Sequence, residues 1–102
     1  MPQITTLVSM KTEEDGGRHG PFWANYRPHI VPRGTEDYLG VTVLGLSESE
    51  AVMPGAEAEV TFDLVYHPNV DYSSLLPGME FEIREGPRVV GNGTVISRSD
   101  NQ

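Results

Sequence analysis

Glycine and proline interrupt this chain so often that few long elements fit between them. Eleven glycines and eight prolines fall within 102 residues, and the intervals suit the short strands of hairpins far better than helices. Turn-forming segments recur at Asp15-Gly16-Gly17, Met53-Pro54-Gly55, Leu76-Pro77-Gly78 and Glu85-Gly86-Pro87. A Pro-Gly pair suits the two central positions of a type II turn. No segment carries a helical stripe. Ser47 to Met53 offers at most one helical turn, with Ser47 and Glu50 as a capping box, and Pro54 stops it.

The segments between turns alternate with period two, the pattern of a half-buried strand. From Glu59 to Tyr66, Val60, Phe62, Leu64 and Tyr66 share one face, and Glu59, Thr61 and Asp63 share the other. Phe81 and Ile83 alternate with Glu80, Glu82 and Arg84, and Leu39, Val41 and Val43 form a third face of this kind. Ile4, Val8 and Met10 predict a first strand, interrupted by Thr6. Tyr26 to Val31 predicts a fifth, placed by Pro28 at an edge or bulge. Val89 to Arg98 predicts a sixth, whose Gly91 and Gly93 share a face and imply a tight bend or a close backbone approach. Six short antiparallel strands joined by turns predict an all-β domain, a closed six-stranded barrel that leaves no free edge. The length suits one domain, residues 1–102.

Charge and composition narrow the function. Seven basic residues against fifteen acidic ones give a net charge of -8, so the mean field repels the phosphate backbone that supplies most nucleic-acid affinity and favours basic partners. The chain has no cysteine, hence no disulfide framework and no thiolate metal site. Met1 to Met10 lacks the features of a secretory signal, and no apolar run approaches the roughly 18 residues of a membrane span. A cytoplasmic protein without a membrane role is expected.

Chemistry-bearing constellations are scarce. His19, His29 and His67 lie in three separate segments, none at helical metal-ligand spacing, and no metal or other cofactor is expected. Neither a Gly-x-Ser-x-Gly elbow nor a Ser-His-Asp set is present. The strand acids all fall on polar faces, where nothing raises a carboxyl pKa for acid catalysis. The run Glu13-Glu14-Asp15 fits a solvated loop. No phosphate-loop motif occurs, and Gly91-Asn92-Gly93 opens no helix. The sequon Asn92-Gly93-Thr94 lies inside a predicted strand of a chain with no export signal. The protein is therefore expected not to be an enzyme. A cluster of arginine and aromatic residues remains, from Gly16-Gly17-Arg18-His19-Gly20-Pro21-Phe22-Trp23 to Asn25-Tyr26-Arg27-Pro28. Gly-Gly permits a sharp turn that presents Arg18 and His19 outward, and arginine suits phosphate or carboxylate recognition. The other account makes Phe22, Trp23 and Tyr26 core residues and has Arg18 or Arg27 pair with an acid.

Three segments resemble one family. Gly16 to Pro28 is similar to the "GGRHTPF…YRPQF" segment of the C-terminal (third) domain of translation elongation factor Tu. Val52-Met53-Pro54-Gly55 is similar to its "VMPGD" turn, and Phe81 to Gly93 to its "FAIREGGRTVGAG" hairpin. They occur in family order, and the resemblance runs from about Ile4 to Arg98 as a stand-alone domain. It implies a six-stranded barrel with no catalytic residues, one that supports a GTPase domain and contacts the T-stem of aminoacyl-tRNA. By this resemblance Arg18 and His19 match positions beside the RNA backbone, Arg84, Glu85 and Gly86 match further T-stem neighbours, and His67 falls where the family places His or Lys. The sequence departs from the family at His29, where Gln follows Arg-Pro, at Leu39, where Thr precedes the glycine, and in a longer loop at Val70 to Leu76. Lys11 is its sole lysine.

The expected function is a non-catalytic binding module. Its partner would be a protein: a GTPase domain, a translation factor, or a protein that targets one, with the chain acting as mimic, decoy or immunity-like factor. The acidic balance favours this. The Gly-Gly-Arg-His loop favours the alternatives, a tRNA T-stem binder or a subunit of a split translation factor.

Overall fold

The computed structural model describes residues 2–46 and 51–100. Among these residues seven antiparallel strands make one strongly curled sheet: β1 Gln3–Met10, β2 His29–Pro32, β3 Leu39–Gly40, β4 Thr42–Leu46, β5 Glu57–Asp63, β6 Glu80–Glu85 and β7 Arg88–Ser99. No helix is present among the described residues, and none is therefore long and apolar enough to cross a membrane. The predicted helical turn from Ser47 begins outside the described residues.

The strand order is β3-β2-β6-β7-β1-β5-β4. The all-β antiparallel barrel-like fold expected from the sequence is present, with strand count and closure not exact, because the predicted strand at Leu39–Val43 divides at Val41. The two ends of the order, β3 and β4, are separated only by Val41, so the segment 39–46 serves one neighbour with each half: β3 pairs with β2 and β4 pairs with β5. The seam is drawn together by three backbone bonds outside the ladders, Val41 N–H to Pro28 O at 3.2 Å, Val43 N–H to Tyr26 O at 2.8 Å and Asn25 N–H to Val43 O at 2.8 Å. Pro28 cannot donate to a ladder, and the strand predicted from Tyr26 to Val31, here β2, accordingly begins at His29.

Alternation places the core. Ile4, Val8, Val60, Phe62, Phe81, Ile83, Val41 and Val43 are all buried in one cluster, as the period-two faces require. Thr6 shares the inward face of β1, and its hydroxyl donates to Val60 O at 2.9 Å, which satisfies a buried polar group. Close approach explains the glycines of β7. A Cβ on Gly93 would lie 2.4 Å from Cζ of Phe81, so the buried ring occupies the space any side chain would need. Both Pro-Gly turns close with the expected bond, Ala56 N–H to Met53 O at 3.1 Å and Met79 N–H to Leu76 O at 2.9 Å.

Tyr66 departs from its predicted face. β5 ends at Asp63, His67 N–H bonds to Leu64 O at 3.1 Å, and the chain turns before the alternation can continue. Tyr66 is 51% exposed, yet its ring lies 2.5 Å from where a Cβ on Gly40 would sit. Tyr72 fills the interior beneath, its hydroxyl donating to Gly40 O at 2.7 Å and accepting from Tyr66 N–H at 3.1 Å.

Candidate functional site

One end of the sheet gathers the loop 11–28, the turn at Met53–Gly55 and the β6–β7 hairpin. The tight turn after β1 is closed by Gly17 N–H to Thr12 O at 2.8 Å. Gly16 has a φ of 97°, and a Cβ on Gly17 would lie 2.3 Å from Lys11 O, so the Gly-Gly pair is demanded by conformation at the first position and by space at the second. The turn delivers Arg18 to the hairpin. Its Nε and Nη2 donate to Gly20 O at 3.3 Å and Pro21 O at 3.1 Å, and Nη1 forms an ion pair with Glu85.

Glu85 extends the inward-facing series Phe81, Ile83 to the rim of the core. There it accepts the Tyr26 hydroxyl at 2.5 Å, and Arg88 approaches it at 3.5 Å. The Tyr26 ring stacks on Phe22 with centroids 4.7 Å apart, and the Arg18 guanidinium sits 4.5 Å from its centroid, a cation–π distance. Burial acts to raise the Glu85 pKa, but hydrogen bonds from Tyr26 and Arg18 and the arginine charges outweigh it and hold the carboxyl below its ordinary value. Burial and the neighbouring carboxylate push the Tyr26 phenol well above its ordinary range, so it stays a donor. This is a closed set in which each group holds another.

The remaining candidates lie apart from it. Arg84 pairs with Glu82 and donates to the Tyr38 hydroxyl at 2.7 Å, with its guanidinium 5.3 Å from that ring's centroid. His29, its cross-strand partner, meets Tyr38 edge-on at 5.7 Å. His19 projects into solvent with its side chain 75% exposed, and Nδ1 lies 2.7 Å from Glu13 Oε2. His67 is exposed in the turn after β5, where the His67-Pro68 peptide is cis. Gly86, with a φ of 61°, turns the hairpin beside Glu85.

Thus Arg18, Glu85 and Gly86 come together, while Arg84, His19 and His67 occupy three other places. Among the described residues no group of three His, Cys, Asp or Glu could hold a metal. Of the aromatic cluster, Phe22 is buried in the core, Tyr26 packs partly against it and Trp23 is 55% exposed. The account in which Arg18 pairs with an acid describes its geometry. Sequence reasoning missed Tyr38 and Arg98, whose Nη1 donates to Tyr72 O at 2.6 Å and Leu75 O at 3.3 Å and so braces the long loop. It also left Glu85 unpaired, although the parity of Phe81 and Ile83 was a usable signal for its inward position.

A curled antiparallel β domain, with its loop end locked by an Arg–Tyr–Glu set, defines the structural class. The sequence profile of the family Elongation factor Tu C-terminal domain matches residues 2–98, and the chain belongs to that family.

Proposed function

We propose that this chain is a non-catalytic protein-interaction module linked to translation factors, acting as a mimic, decoy or immunity-like factor. One observation carries the choice of protein over RNA. Arg18 and Arg84, the two arginines that the family resemblance would turn toward a phosphate backbone, are each neutralised within the chain, by Glu85 and by Glu82. On a chain of net charge -8, freeing them for phosphates would leave their carboxylate partners uncompensated beside the RNA. Arginine and aromatic side chains held rigidly at a surface are instead the residue types that anchor protein interfaces.

A T-stem binder, alone or within a split factor, is the second reading. It draws on His19, whose exposed ring stands at the tip of the Gly-Gly-Arg-His loop. Anisotropy titrations at about 0.15 M salt separate the two. Elongation factor Tu lacking its third domain should bind the chain saturably, and aminoacyl-tRNA should not. Micromolar tRNA binding that disappears in the Arg18→Ala, Arg84→Ala double variant would reverse the choice.

A further inference from the structure

The dipeptide Asn92-Gly93 carries a chemistry that the Arg18–Glu85 set does not use. Asn25, Asn69 and Asn101 precede Tyr26, Val70 and Gln102, and only Asn92 precedes a glycine. Asparagine before glycine is the pair most prone to deamidate spontaneously, because no side chain shields the next backbone nitrogen. In that reaction the Gly93 nitrogen bonds to Cγ of Asn92 and the Cγ–Nδ2 bond breaks. The side-chain amide leaves as ammonia and takes the Gly93 N–H proton. Water then opens the five-membered imide at either carbonyl, giving aspartate or isoaspartate. Water is the sole co-reactant.

Water reaches the side chain, since Asn92 is exposed on the outer face of β7. The backbone is held. β7 is an interior strand of the sheet, where Asn92 pairs with Ser9 and Glu82, and Gly93 with Val8 and Phe81. Extended backbone keeps ψ near about +135°, which turns the Gly93 nitrogen away from Cγ of Asn92. Imide closure requires that peptide to rotate out of both ladders. Packing opposes the rotation as well. A Cβ on Gly93 would lie 2.4 Å from Cζ of Phe81 and 3.2 Å from Leu7 O, so the main chain is wedged between a buried ring and the neighbouring strand.

We propose that Asn92-Gly93 is a self-modification site that the native sheet holds shut. It deamidates only while β7 is detached from β1 and β6, and the isoaspartate formed weakens the sheet that had protected it. Isoaspartate puts one extra methylene into the main chain between two residues whose partners on both flanking strands are fixed. Residues 92 and 93 can then no longer both keep their register, and Gly93 no longer fits over Phe81. An opening of the sheet thereby becomes permanent, by chemical change of the opened form. The proposal is independent of the partner that the domain binds.

The test incubates the full chain at neutral pH, folded and unfolded in urea, and follows deamidation at Asn92 by mass spectrometry of its peptides. The folded rate should be at least about a hundredfold below the unfolded one, because a stable small domain populates its open form below that level. Below the unfolding transition the rate should climb with urea in step with the unfolded fraction. A synthetic peptide spanning Val89–Ser97 has no sheet to leave and should show no such climb. The isoaspartate chain, isolated and refolded, should have a lower urea midpoint than the Asn92→Asp variant, which carries the same charge on an unextended main chain. Asn92→Asp should itself fold, since an acid opposite Glu82 adds only modest repulsion.

A folded rate close to the unfolded one, or one indifferent to urea, would overturn the claim that the sheet shuts the site. Equal midpoints for the isoaspartate and Asn92→Asp chains, or equal failure to refold, would assign the damage to charge and overturn the claim that the product weakens the sheet. Failure of the isoaspartate chain alone to refold would support it.

Discussion

Tyr26 shows how one hydroxyl ties a loop to a strand. Its bond to Glu85 spans 59 residues of sequence, and hydrogen bonds to a charged group are stronger than neutral ones. Tyr26→Phe keeps the stacked ring and removes that donor. The variant should lose about 1–2 kcal/mol at neutral pH, measured by urea unfolding. The pH dependence has a definite sign. Glu85 is held below its ordinary value of 4.5 in the folded chain, so its contribution is fully present above that value and is lost as pH falls through the folded pKa. The deficit of Tyr26→Phe should therefore be full at neutral pH and shrink below about pH 4.5. A deficit unchanged across that range would remove Glu85 as the partner that matters.

The β6–β7 hairpin is shaped by what its glycines leave out. Gly93 faces Phe81 across the pair, and the ring fills the site of the missing Cβ. Phe81 also meets Phe62 edge-on at 6.3 Å, so it cannot yield without disturbing the opposite wall of the core. Gly93→Ala should destabilise the domain by about 1–3 kcal/mol, the usual cost of overpacking. The urea midpoint should fall with little change in slope, and an unaltered midpoint would show that the ring moves freely. Bulges act at the same scale. Register shifts in the β4–β5 and β1–β7 pairs add the local twist that curls the sheet.

At the scale of the whole molecule, the domain presents an acidic field and no phosphate cradle. Gly55, Gly78 and Gly86 serve turns and Gly91 and Gly93 close strand packing, whereas a phosphate loop needs Gly-rich backbone opening a helix beside Lys and Ser or Thr. GTP with magnesium should therefore give no saturable heat in a calorimetric titration of this chain, and saturable binding would contradict the absence of a nucleotide site. The seam at Val41 belongs to this scale too. Only when the sheet curls do β3 and β4, consecutive in the chain, become its two edges.

By itself the sequence determined the antiparallel strands, their inward residues and most of the turns. Val60 and Phe62 are buried because period two is a property of the extended backbone, and Pro-Gly turns are set by φ preferences local to two residues. It also determined the family, through motifs that stay in order along the chain. The tertiary structure alone decided where alternation stops and who pairs with whom. Tyr66 has the parity of Leu64, but β5 ends at Asp63 and a turn carries the ring out over Gly40. Arg18 and Glu85 are 67 residues apart, and nothing local to either names the other. Arg84, one residue before Glu85, turns instead to Glu82 and Tyr38, because successive strand residues face opposite ways. Periodicity is written into neighbouring residues, whereas an ion pair across the fold exists only once strand register has brought its two ends together.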